Sequence, residues 1–493
     1  MIKLNVRVRQ LHLRNFGRNT IGASLLAFSV MLGACQKNFE EDPVPTTDPD
    51  VQTEQTDNEW ILENMQTYYF WNKQLPAKPD MTQVPEDFFN SLLYSYDAAA
   101  RPDGDRFSFI AADAEELQAS LSGEGTSTGA EFNLYLARQG SDEVIAQILY
   151  VLPGSPADKA GLKRGDIIEQ INGQTLTRSN YSSLLFDQNT MVVGYSNWQN
   201  NQLVKSDKTI SITKTVIQEN PVLLDSVYTV SGKKIGYLVY NQFIPGPNGS
   251  NVNTYDLQLD QIFSQFKAEG INELILDLRY NPGGYVSSAV NLASLIGKNV
   301  DATKTFYRQE WNETLTPELE KEFGEEFFVK KFTTKSENIG NQLSRVYVLT
   351  SRRTASASEL IINGLKPYME VITIGTQTTG KNVGSITITD DTGKKKWGLQ
   401  PIVFKSYNAQ DQSDYTAGFP PTLQAEEPLE LLPLGDTKEA ILNRTLLQIT
   451  GAPTARLRNL EAAPLPYAGS SLERKAAGSN MFDGQIKRLP EVQ

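Results

Sequence analysis

Residues 346–381 read VYVLTSRRTASASELIINGLKPYMEVITIGTQTTGK. A β-branched apolar run, Val346 to Thr350, ends in a small, hydroxyl-rich turn. The turn feeds an amphipathic segment, Glu359 to Tyr368, and a second apolar run, Val371 to Gly375, leads to Gly380-Lys381. The periodicities predict strand, tight turn, helix, strand and loop. A serine at such a helix start sits where backbone N–H groups favour negative charge. Ser356-Ala-Ser-Glu359 is also an S-x-x-E capping box, so Ser356 has two readings, nucleophile or cap.

Upstream, the same alternation continues. Lys234 to Tyr240 predicts a strand and Tyr255 to Glu269 a helix. Glu273 to Asp277 predicts a buried strand that runs through Leu278-Arg279-Tyr280-Asn281-Pro282 into Gly283-Gly284, with a helix over Ser287 to Ile296. Strands alternating with helices imply an α/β core with parallel strands, flanked by α+β elements. Two glycines at a strand end let backbone approach a ligand closely.

Residues 301–342 read as an insertion into a core spanning 217–450. Downstream of Lys381 a hairpin region leads to a strand from Trp397 to Tyr407 and a last helix, Thr437 to Ile449. Residues 451–493 show weak periodicity and are expected to form a loosely ordered tail.

Residues 57–122 read as helical, with Trp60, Ile61, Met65, Tyr68 and Tyr69 at core spacing and Asp105 to Ser108 as a turn. Residues 123–216 change character: alternating runs surround GSPADKAGLKRGDIIEQINGQ, a short helix, turn, strand and Asn-Gly hairpin. Within them Ser211-Ile-Thr-Lys214 matches an S-x-x-K motif. It lies on an alternating strand, where residues three apart face opposite ways, so it is set aside.

The chain has 493 residues, 39% hydrophobic and 21% charged, which fits a soluble protein of several domains. Residues 1–34 hold five of the 46 basic residues and none of the 58 acidic ones. The remainder carries 41 positive against 58 negative charges, a net −17 that argues against nucleic-acid binding. The basic start, the apolar run Thr20 to Ala34 and Leu32-Gly33-Ala34 form a secretory leader, too short to span a bilayer.

The single histidine, His12, and the single cysteine, Cys35, both lie in the first 35 residues. A mature chain therefore has no Ser-His-Asp site, disulfide framework or Cys/His zinc site, and no metal or cofactor is expected. A serine hydrolase built here needs another base. A lysine serves if burial keeps it neutral, and Lys381, just after a buried strand, is the candidate. The oxyanion donors would be the N–H groups of Ala357 and of Gly283 or Gly284.

These motifs carry resemblances. Leu32-Gly33-Ala34-Cys35 resembles the bacterial lipobox, which implies lipidation at Cys35. Gln36 to Asp42 looks like the acidic signal of surface-exported Bacteroidetes lipoproteins, followed by a flexible tether within 35–56. The 123–216 segment resembles a PDZ domain. By position, Gly129-Ala130-Glu131-Phe132 would be its carboxylate loop, with Glu131 where a glycine is usual. The order PDZ, LDLRYNPGG, TASASELI, TTGK is similar to the C-terminal processing peptidases of family S41, over about residues 57–450.

That resemblance implies a ClpP/crotonase-like core, Ser356 as nucleophile with Ser358 the weaker candidate, and Lys381 as base. It also matches Trp71-Asn72 near the N-terminal helices. Many members carry a glutamine four residues after the lysine. Ser385 stands there and would have to orient Lys381. The implied protein is a lipid-anchored envelope endopeptidase that takes unstructured protein or peptide C-termini through its PDZ domain. The alternative is a catalytically silent PDZ scaffold at the envelope.

Overall fold

The computed structural model describes residues 55–199, 202–451, 465–475 and 481–483. The leader, Cys35 and all of the tether before Gln55 lie outside the described residues. Around the Ser356 stretch the chain forms strand Arg345–Thr350, helix Ala357–Leu365 and strand Glu370–Gly375. Those two strands sit side by side in a six-stranded sheet. Its order is Val222–Val230, Lys233–Tyr240, Glu273–Asp277, Arg345–Thr350, Glu370–Gly375 and Leu423–Gln424. The first pair is antiparallel and every other pair parallel.

Parallel strands are covered on both faces, and their side chains alternate accordingly. Leu238, Leu274, Leu276, Val346 and Val348 face one core, with helices Thr254–Glu269, Val286–Ile296 and Ala357–Leu365. Tyr237, Val239, Ile275, Tyr347 and Leu349 face the other, under helix Ala440–Thr450. Full burial of each such aliphatic side chain contributes about 1.5–3 kcal/mol. Strand, helix and domain class therefore follow the hydrophobic pattern, giving a mixed α/β protein.

Three expectations need correction. Residues 301–342 are no appendage. Strand Thr305–Trp311 pairs with Ile402–Asn408 inside a second six-stranded sheet, and Phe306, Tyr307, Trp311 and Leu319 enter the main core. The strand predicted from Trp397 to Tyr407 is two, Gly398–Gln400 and Ile402–Asn408, parted at Pro401, which has no N–H for a ladder.

The tail is the third, in its described parts, residues 465–475 and 481–483. Tyr467–Ser470 joins the PDZ sheet and Met481–Phe482 joins the second sheet. Both strands are too short to show a period.

The PDZ sheet runs Tyr467–Ser470, Ala130–Leu136, Val144–Val151, Ile167–Ile171, Thr190–Gln199 and Gln202–Thr213, all neighbours antiparallel. Its Asn-Gly turn has positive φ at both Asn172 and Gly173, as the predicted hairpin requires. The N-terminal helices Asp57–Tyr68 and Pro85–Leu92 bury Trp60, Ile61, Met65, Tyr69 and Phe88 against Trp397, Leu399 and Ile402 of the core.

A buried charge cluster joins the PDZ domain to the core. Arg279 holds Asp277 at 2.8 Å and Glu439 at 2.8 Å, and Glu427 bridges Arg279 at 3.1 Å to Arg164 at 2.6 Å. Removing one member leaves its partners buried and uncompensated. Arg279→Met should cost about 3–5 kcal/mol of stability, read as a lower denaturant midpoint. An unchanged midpoint would show that the cluster contributes nothing net.

Candidate active site

Three adjacent parallel strands deliver the candidate residues to one sheet end, the end at which open α/β sheets form their crevice. Strand Glu273–Asp277 leads to Gly283-Gly284, Arg345–Thr350 to Ser356, and Glu370–Gly375 to Lys381. The turns are stapled together. Thr354 Oγ1 donates to Leu278 O (2.8 Å), Ser358 Oγ to Asn281 O (3.0 Å), and Thr379 N to Thr354 O (3.0 Å).

This separates the two serines. The Ser358 hydroxyl is spent on the Asn281 carbonyl. The Ser356 hydroxyl is buried and has no hydrogen-bond partner among the described residues. Ser356 also holds φ 62°, a conformation that side chains larger than glycine adopt at a cost. Its backbone N–H donates to Glu359 Oε2 at 2.9 Å, within the capping-box geometry of the helix start.

Glu359 organises the site, a role the sequence reading gave only to a cap. Its Oε2 also accepts the Lys381 N–H at 2.8 Å. Its Oε1 accepts the Gly380 N–H at 2.7 Å and the Thr378 hydroxyl at 2.5 Å. One oxygen thus ties the backbones of Ser356 and Lys381 together. Burial pushes the Glu359 carboxyl up, and those four donors work against it.

Lys381 is fully buried, and burial pulls its ammonium down to about 7, with Asp105 and Glu359 working the other way. Its Nζ lies 4.8 Å from the centre of the Phe107 ring. The loop expected to be a plain turn, Asp105 to Ser108, is therefore a wall of the site. Arg106 pins it there by donating to Gly380 O (2.7 Å) and Thr416 O (2.8 Å).

The oxyanion candidates divide in the same way. Gly283 N–H already donates to Asn281 Oδ1 at 2.9 Å. Gly284 has φ 132°, and a Cβ there would meet Phe243 O at 2.2 Å, so the turn requires glycine. Ala357 is the first residue of its helix, and its N–H has no acceptor within the helix.

Ser385 lies on strand Val383–Ser385 and is buried. Its hydroxyl donates to Met481 O (3.3 Å) and accepts from Gln400 Nε2 (3.1 Å). Gln400, which no motif singled out, keeps a buried Oε1 without a hydrogen-bond partner among the described residues.

The loop Gly129 to Phe132 differs from expectation. Its amides are not open to a carboxylate. Gly129 N–H donates to Ser127 Oγ (3.0 Å), Ala130 N–H to Thr128 Oγ1 (3.3 Å) and Phe132 N–H to Ser471 Oγ (2.9 Å). The Glu131 carboxylate pairs with Lys475 at 2.9 Å. Beside this loop lies a cavity of about 500 Å³, lined by Phe132, Leu152, Leu185, Phe186 and Met191 among others.

Residues 234–425 match peptidase family S41, residues 57–109 the peptidase S41 N-terminal domain, and residues 147–186 a PDZ domain. A crystal structure assigned to an S41 protease of Bacteroides fragilis NCTC 9343 is 30% identical, with a TM-score of 0.66 over 83% of this chain and 99% of that one. The carboxyl-terminal-processing protease of Picosynechococcus sp. is 27% identical over 275 residues, 54% of this chain and 57% of its own length. That of Synechocystis sp. is 25% identical over 316 residues, 64% of this chain and 65% of its own. The chain spans about half to two thirds of the length of the curated relatives it matches.

Proposed function

The chain belongs to peptidase family S41 and carries a PDZ domain, and on that premise we propose that it is a serine endopeptidase working through Ser356 and Lys381. One observation carries the reading. A strained serine with an unspent hydroxyl and a lysine with a depressed pKa are tied through their backbones to the same carboxylate oxygen.

In this mechanism Lys381 takes the proton of Ser356 as Oγ attacks the scissile carbonyl, and returns it to the leaving amine. The N–H groups of Ala357 and Gly284 receive the oxyanion. Water, activated by the same lysine, then hydrolyses the acyl-enzyme. Substrates are unstructured protein segments, brought in by the PDZ domain. A lipid on Cys35 would hold the enzyme at the cell envelope, and mass spectrometry of the mature N-terminus tests that anchor: an unmodified Cys35 or a start elsewhere would sink it.

The activity test is cleavage of an unstructured, apolar-tailed peptide by the wild type, Ser356→Ala and Lys381→Ala. Equal cleavage by all three sinks the dyad. Peptide binding without cleavage by the wild type favours a silent scaffold.

A pH profile tests the base separately. Only the neutral amine accepts a proton, so kcat/KM should climb about tenfold per pH unit below 7 and level off above it. A flat profile from pH 5 to 10 would exclude Lys381 as the base.

A further inference from the structure

The PDZ domain binds a piece of its own chain. Tyr467–Ser470 runs antiparallel to Ala130–Leu136, the strand that follows the supposed carboxylate loop, with Tyr467 opposite Tyr135 and Ser470 opposite Asn133. Leu136 N–H donates to Pro466 O (2.8 Å) and Ser470 Oγ donates to Phe132 O (2.8 Å). This is strand addition to a sheet edge, the mode by which such domains take peptides. The added strand runs towards the loop, and Ser471 arrives where a terminal carboxylate would: its Oγ accepts the Phe132 N–H and donates to Glu131.

The segment does not end there. It turns through Ser471–Arg474, and Lys475 reaches back to two buried carboxylates, Glu131 at 2.9 Å and Glu219 at 2.6 Å. The glutamate that breaks the usual glycine pattern is therefore one half of an ammonium clamp. A clamp set beyond the carboxylate position favours a chain that continues past it.

A second anchor lies in the second six-stranded sheet. Met481–Phe482 pairs with Gly284–Tyr285, the oxyanion turn, and Phe482 pairs with Ser385. Both side chains are buried.

We propose that the peptide edge of this PDZ domain is a site for an internal, lysine-bearing segment, that its resident occupant is the chain's own Pro466–Lys475, and that an incoming substrate has to displace it. The proposal rests on the peptidase reading only for the word substrate. A tethered segment acts at high effective concentration, so modest contacts suffice to keep the edge filled. A competing peptide then binds with an affinity reduced by the fraction of edges left open. The cavity beside the loop, whose wall includes Ser471 and Lys475 of the tail, presents Phe132, Leu185 and Phe186 to the end residue of that competitor.

The test reads binding, in full-length Ser356→Ala protein so that no cleavage intervenes. Lys475→Glu sets a third carboxylate against Glu131 and Glu219, and Ser471→Ala removes the hydrogen bonds at the loop. Each should tighten binding of a fluorescent, apolar-tailed peptide, by about tenfold for Lys475→Glu, while Lys475→Arg stays at the starting affinity. An amidated peptide of residues 465–475 should compete with the probe in the Lys475→Glu protein.

An unchanged dissociation constant in both Lys475→Glu and Ser471→Ala would overturn the proposal. So would failure of the amidated peptide to compete. Ser471→Ala keeps the test valid should Lys475→Glu lower the melting temperature. Absence of cleavage by the protein that keeps Ser356, with tail exchange intact, would sink the peptidase reading and leave this proposal standing.

Discussion

Ser356→Ala is expected to abolish cleavage and, at the same time, to make the protein more stable. On the proposed mechanism the first effect follows from removing the attacking oxygen, which in serine hydrolases costs on the order of 10⁴-fold or more in kcat. The second follows from the unpaired hydroxyl of the folded state. A buried hydroxyl with no partner carries a desolvation cost of about 1–3 kcal/mol, and alanine has no such group. The positive φ of 62° stays, so its strain is not relieved. The expected gain is therefore about 1–2 kcal/mol, a shift of a few degrees in Tm. Kinetics and differential scanning calorimetry on one preparation check both halves. A variant that is inactive and less stable would mean that the hydroxyl is a structural cap.

Glu359→Ala should also lose most of its activity, but with the opposite effect on stability. Its carboxylate takes the N–H groups of Ser356, Gly380 and Lys381 and the hydroxyl of Thr378, all in a region closed to water. Alanine orphans four donors at once. Leaving buried groups unpaired after removal of a charged partner costs about 3–5 kcal/mol. It also unties the nucleophile backbone from that of the base, so kcat should fall by at least about a hundredfold, the scale of a misplaced catalytic group. Glu359→Gln refines the test. It keeps the shape but offers an amide NH₂ to donors, so some of the loss should persist. Full activity in Glu359→Gln would reduce Glu359 to a spacer.

Lys381 adds a pH signature to stability. Its pKa is about 7 in the fold against 10.5 for an ordinary lysine, so between those values the unfolded chain holds the extra proton. Stability from this group therefore rises with pH through that window, by up to about 1.4 kcal/mol per unit, and is least at pH below 7.

How much of this was legible depends on the range of the interactions. The core strands and helices announce themselves because each repeats a local period over five or more residues. Helices Thr254–Glu269 and Val286–Ile296 fall within a residue or two of where the pattern puts them. The absence of any histidine after residue 12 left lysine as the candidate base before any geometry was known. Glu359 was visible, but its local role as a cap hid its reach to Lys381, 22 residues away. Phe107 and Arg106 carry no motif, because they act on the site from a loop more than 270 residues before it in sequence.

The amino-acid sequence by itself determined the α/β layering, the serine at a helix start and the lack of any histidine after residue 12. All of these rest on composition or on short periodic runs. Only the tertiary structure decided which of Ser356 and Ser358 keeps a free hydroxyl, since the difference is a bond to the carbonyl of Asn281. It also decided the place of the tail. Tyr467-Ala-Gly-Ser470 and Met481-Phe482 are too short to form strands alone. They become strands because two sheet edges, one beside Glu131 and one beside Gly284, offer backbone partners that local sequence cannot announce.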